Sequence, residues 1–169
     1  WVFEANGRFH AFITARSNQG HKSARGVIGH ASSEDLIHWQ VGPPVAAPAE
    51  FSYMEVPQLV EIDGRYYLFF CVSHREFAAT RLQRPGTRLV TGTLYLIGEQ
   101  PLGPFRFAAD EFLLADNIGT TYAGKALRAP DGRWVSMTAR ARAADGRYLG
   151  EIADPLPLRF APDGRLRVE

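Results

Sequence analysis

The chain has 169 residues, 46% of them hydrophobic and 12% aromatic, which is enough for a domain with a substantial core. Nineteen basic residues against eighteen acidic leave a net charge of +1, so there is no electrostatic case for a nucleic acid or an anionic membrane as partner. The single cysteine, Cys71, excludes an internal disulfide and a cysteine-based metal site. No apolar run approaches the roughly 18 residues of a membrane-spanning helix.

Trp1-Val2-Phe3 opens directly in a strand pattern with no charged leader, and the expectation is a natural protein that continues upstream. Asn6-Gly7 is a hairpin turn, because a type I′ turn needs positive φ at both central residues. Arg8 to Arg16 follows as a second strand with apolar residues on both faces. Ser17 to Ser23 is a polar loop. Gly26 to Ala31 predicts a third strand and His38 to Val41 a fourth, with Trp39 turned inward. Between them Asp35 reads as a turn residue, since Asp and Ser bond nearby backbone. Pro43, Pro44 and Pro48 predict the end of the unit, because proline cannot donate to a sheet.

The second unit opens on M-E-V-P-Q-L-V-E-I from Met54 to Ile62, turns at Asp63-Gly64, and returns as R-Y-Y-L-F-F-C from Arg65 to Cys71. Cys71 lies in this apolar run and reads as a small buried hydrophobe. The loop after it carries His74, Arg75, Arg81, Arg84 and, at its edge, Arg88. Leu89 to Ile97 and Phe105 to Ala108 predict two more strands. The third unit begins near Thr120, turns at Asp131-Gly132, and continues through Trp134 to Thr138, Tyr148 to Ile152 and Leu166 to Val168.

The turn sequence recurs at Asn6-Gly7-Arg8, Asp63-Gly64-Arg65 and Asp131-Gly132-Arg133, and twice more at Asp145 and Asp163. A period of roughly 60 residues, with about four strands per repeat and no long helix, predicts an all-β propeller. Three four-stranded blades follow, over residues 1–48, 49–112 and 113–169. Three blades do not close a ring, so the expectation is either further N-terminal blades or closure by self-association.

In order, Trp1-Val2-Phe3, G-H-A-S-S-E-D-L-I-H-W from Gly29, M-E-V-P-Q-L from Met54, P-L-G-P-F from Pro101, Y-A-G-K from Tyr122 and D-G-R-L-R from Asp163 resemble glycoside hydrolase family 32. Those are the five-bladed propellers of invertases, levanases and inulinases; families 43 and 68 share the blade pattern. The resemblance implies a carbohydrate substrate, no cofactor, and three acidic residues facing an axial pocket. Its nucleophile, in an Asn-Asp-Pro-Asn-Gly motif, has no counterpart in these residues, and its Arg-Asp-Pro aspartate would stand just ahead of Trp1. Its general acid, in a Glu-Cys-Pro motif, matches Glu55. Val56 replaces the family's cysteine and Gln58 a frequent aspartate, which leaves subfamily and substrate open.

Retaining hydrolysis needs a carboxylate to attack the anomeric carbon and a carboxylic acid about 5 to 5.5 Å away to protonate the leaving oxygen. Burial and a neighbouring carboxylate help such an acid keep its proton. Counting back eight residues from each turn pairs Ala123 with Glu55, so Tyr122 and Lys125 are expected to rim the pocket and touch substrate. The five histidines show no metal-ligand spacing. Other readings are a non-catalytic carbohydrate-binding or structural propeller and a family 43-like glycosidase.

Overall fold

The computed structural model describes residues 1–107 and 112–169. Its first antiparallel sheet has β1 (Val2–Ala5), β2 (Arg8–Arg16), β3 (Gly26–Ser33) and β4 (Gln40–Ala46) in chain order. The second runs β5 (Glu55–Ile62), β6 (Arg65–Val72), β7 (Thr91–Gly98) and β8 (Arg106–Phe107), and β9 (Leu114–Asp116) pairs with the other end of β7. The third holds β10 (Thr121–Arg128), β11 (Trp134–Arg142), β12 (Tyr148–Ile152), β13 (Leu156–Phe160) and β14 (Leu166–Val168). Here β12 and β13 share the edge of β11, one at each end. Among the described residues the only α-helix is α1 (Ala79–Leu82).

The turns form as their chemistry requires. Asn6 and Asp63 have φ of 52° and 50° and each precedes a positive-φ glycine, the type I′ signature. Asp131-Gly132 behaves differently: Ala129 N–H reaches Arg133 O and Gly132 N–H reaches Ala129 O, so Pro130, Asp131 and Gly132 make a three-residue turn.

The middle sheet is buried on both faces, which explains its unbroken apolar runs. Leu68, Phe70 and Val72 of β6, with Leu94 and Leu96 of β7, meet Phe12, Ile28, Ala46, Phe51 and Leu59 on the side of the first sheet. Tyr67 and Phe69, with Tyr95 and Ile97, meet Ala126, Leu158 and Leu166 on the side of the third. Two tyrosines add polar ties: Tyr67 donates to Gly164 O at 3.0 Å, and Leu166 N–H donates to Tyr95 Oη at 2.8 Å.

Several expectations need revision. The fourth strand is not His38–Val41 but β4, and Pro43 and Pro44 lie inside it. An edge strand tolerates proline because its outward N–H groups are not needed. Trp39 is half-buried beside the turn, donating to Leu36 O at 3.1 Å. β13 was hidden in the sequence by Pro157. β9 pairs within the second sheet although it lies after residue 113, and the second and third sheets hold five strands because one strand position is split in each. The strand expected at Phe105–Ala108 is Arg106–Phe107, and Ala108 lies outside the described residues.

Asp35 makes the expected turn. It accepts from Ile37 N at 2.9 Å and His38 N at 2.8 Å, and bonds His38 Nδ1 at 2.7 Å. His10 is buried between the first two sheets, 2.9 Å from His30 Nε2 through Nδ1 and 3.2 Å from Ala5 O through Nε2. A carbonyl only accepts, so His10 Nε2 carries the proton, Nδ1 accepts, and His30 Nε2 donates. Burial, then the adjacent His10, lowers the His30 pKa.

Candidate active site

β1, β5 and β10 each begin a sheet, with β5 lying against β2 and β10 against β5, β6 and β7. Each of the last two carries a bulge near its start. Glu55 pairs with Cys71 and Gln58 with Phe69, so Val56 and Pro57 together stand opposite Phe70 alone, one residue of extra length, and Val56 has φ 46°. Tyr122 pairs with Ala139 and Lys125 with Met137, and Ala123 has φ 55°. A β-branched residue at positive φ costs on the order of 1–3 kcal/mol and persists only where its surroundings determine it.

The matching bulges make Tyr122, not Ala123, the counterpart of Glu55. The sequence count was one residue off because the third hairpin turn has three residues where the second has two.

Polar contacts fix the two inner strands to each other. Gln58, 1% exposed, donates from Nε2 to Ala126 O at 3.0 Å and accepts from Ala126 N at 2.9 Å, standing in for a backbone bridge. Gly124 N donates to Thr93 Oγ1 at 3.1 Å, and a Cβ on Gly124 would meet that oxygen at 2.6 Å, so only glycine allows the approach. Cys71 Sγ lies 3.3 Å from the same oxygen, and burial raises the thiol pKa. Lys125 Nζ donates to Val56 O at 2.6 Å and Pro57 O at 3.3 Å.

At the head of this arrangement the Tyr122 hydroxyl donates to Glu55 Oε2. Both side chains are half-buried. Burial, then the Glu55 carboxylate, pushes the Tyr122 phenol far above its ordinary value, so it stays a donor throughout the neutral range. Glu76 adds to that effect and is held by the Ser52 hydroxyl. The three expected site residues are therefore together, with Glu55 and Tyr122 in contact and Lys125 on the bulge behind Glu55. The structural parts of Gln58, Thr93 and Glu76 were not anticipated. Only the position of Gln58, one residue past the proline of the motif, hinted at its part. Among the described residues no group of three or more His, Cys, Asp or Glu is placed to hold a metal ion.

No family model and no curated protein matches this sequence. Solved structures do match. The inulosucrase from Halalkalicoccus jeotgali bound to kestose superposes with a TM-score of 0.81 at 18% identity, over 99% of this chain and 48% of that one. The fold is a β-propeller. Bacillus subtilis levansucrase gives a TM-score of 0.76 at 15% identity, over 99% and 48%. A levansucrase variant from B. megaterium gives 0.76 at 14%, over 99% and 47%. The chain thus spans about half the length of these propellers, and its three sheets are three blades, each beginning with its first strand, β1, β5 or β10.

Proposed function

We propose that this chain forms part of an enzyme acting on fructose-containing sugars, with Glu55 as the general acid. The observation that carries the reading is Glu55 itself: a half-buried carboxylate at the head of the first strand of its sheet, aimed by a bulge and capped by the Tyr122 hydroxyl. Propellers that superpose on this chain include levansucrases and an inulosucrase, one of them bound to kestose and another to sucrose. They favour glycoside hydrolase family 68 over family 32 as the nearer kin.

In this reading the attacking carboxylate belongs to a blade outside these 169 residues. Tyr122 donates to Oε2, which leaves Oε1 to carry the acid proton toward the glycosidic oxygen. As the bond from the anomeric carbon to that oxygen breaks, Glu55 gives up its proton to the leaving sugar, and the nucleophile holds the fructosyl group as an ester. Glu55, now ionised, removes a proton from the incoming water or sugar hydroxyl, and the ester is released. Water as acceptor gives hydrolysis. A sugar hydroxyl gives transfer.

Glu55→Gln in the protein with its complete propeller tests this. Sucrose cleavage should fall by about 10²-fold or more, because an amide has no transferable proton. The first step on an aryl fructoside, whose leaving group needs little protonation, should be largely spared. Equal losses on both substrates with a lowered melting temperature, or no loss on either, would return Glu55 to a structural role.

A further inference from the structure

The ammonium of Lys125 has three protons to place. One goes to Val56 O at 2.6 Å and another to Pro57 O at 3.3 Å, and the face of Trp1 lies 5.9 Å from Nζ. Both carbonyls belong to the two residues of the β5 bulge that stand opposite Phe70, and one of them sits on the positive-φ Val56 immediately after Glu55. The lysine comes from the matching bulge of β10, three residues beyond Tyr122. One short stretch of β10 therefore grips Glu55 twice, at its carboxylate through Tyr122 and at its following backbone through Lys125.

We propose that Lys125 is a positioning residue whose ammonium holds the Val56 and Pro57 carbonyls in the bulge and so sets where the Glu55 carboxylate stands. This rests on the reading of Glu55 as the acid. A lysine that binds sugar has to point its protons at the substrate, whereas two here are directed at main-chain oxygens. Those oxygens face a half-buried cation, and burial lowers the pKa of the amine. A neutral side chain of equal length would remove the ammonium's bonds to both carbonyls and with them a restraint on the strained Val56 backbone. Glu55 would shift with it, and a misplacement of about 1 Å can cost on the order of 10²-fold in rate.

The test compares Lys125→Met, Glu55→Gln and the double variant in the protein with its complete propeller, on sucrose and on an aryl fructoside. Lys125→Met should lower kcat on sucrose by about 10-fold to 10²-fold with KM within about twofold, and spare the aryl fructoside. In the Glu55→Gln background it should cost nothing further. Lys125→Cys treated with 2-bromoethylamine, which rebuilds an ammonium at nearly the lysine length, should recover most of the rate, and iodoacetamide should not. Cys71 is fully buried and is spared by both reagents. A structural arm reads the ¹³Cζ resonance of Tyr122, assigned with Tyr122→Phe, which should move in Lys125→Met as the carboxylate leaves the phenol. A raised KM on both substrates at unchanged kcat, a loss additive with Glu55→Gln, or an unmoved Tyr122 resonance would overturn the proposal. If Glu55→Gln fails to separate the two substrates, the reading of Glu55 falls, and the Tyr122 resonance alone then decides whether Lys125 positions that carboxylate.

Discussion

Tyr122 and Glu55 stand at corresponding positions of the first strands of neighbouring sheets, each one residue ahead of a positive-φ bulge residue, and the phenol of one hydrogen-bonds the carboxylate of the other. Repetition of one backbone device in successive sheets brings the two side chains into contact.

Tyr122→Phe removes only the hydroxyl from this pair. A hydrogen bond to a charged group contributes about 1.5–3 kcal/mol, and roughly 1.4 kcal/mol is tenfold in rate. In the activity proposed above, turnover of sucrose by the protein with its complete propeller should fall about tenfold or more while the melting temperature moves by less than about 4 °C. Unchanged turnover in steady-state kinetics would show that the phenol has no part in holding Glu55 for the proposed reaction.

Gln58→Leu tests the clasp between β5 and β10. The variant leaves the buried N–H and carbonyl of Ala126 without their partner, each at a cost of about 1–3 kcal/mol. Urea unfolding should show a loss of about 2–5 kcal/mol with little change in m-value. A loss below about 0.5 kcal/mol would mean that another group takes over the bonds.

Gly124→Ala places a Cβ 2.6 Å from Thr93 Oγ1 and should destabilise by about 1–3 kcal/mol. Adding Thr93→Ala removes that oxygen, so the double variant should lose less than the sum of the single changes, by at least about 0.5 kcal/mol. Strict additivity in thermal melts would place the strain elsewhere.

His30 gives the pH dependence its sign. Burial and His10 hold its folded pKa below the ordinary value of 6.5, so below that pH the unfolded chain takes up a proton that the folded chain does not. Stability is therefore complete above about pH 6.5 and declines as the pH falls toward the lower folded value. Melting temperatures from pH 7.5 to 5 should fall more steeply for the wild type than for His30→Gln. Parallel curves would remove the histidine pair from the account.

The all-β propeller was legible because turn chemistry is local. Asn6-Gly7 and Asp63-Gly64 announce type I′ hairpins by residue type alone, and the period between them marks the blades. Glu55, Tyr122 and Lys125 could be found near one another since the hairpin turns fix the distance to each inner strand. What the spacing missed depends on contacts between blades: Gln58 meets Ala126 across 68 residues of chain, and nothing in the local pattern marks either one. The one-residue error at Ala123 came from a turn whose extra residue, Pro130, looks like ordinary loop. β4 escaped because prolines that forbid a central strand are harmless at an edge.

The two-sided burial of the middle blade also ranks the parts of the chain by how readily they open. Losing the contact with the first or the third sheet uncovers one face of the middle sheet, but β6 and β7 are exposed on both faces only when both contacts are lost. Backbone amides of Leu68 to Val72 should then exchange with deuterium only when the whole chain unfolds, while those of β1 and β14 exchange through smaller, local openings. Because Glu55 heads the first strand of that middle blade and Tyr122 the first strand of the next, loosening the third blade disconnects the pair without unfolding the strand that carries Glu55.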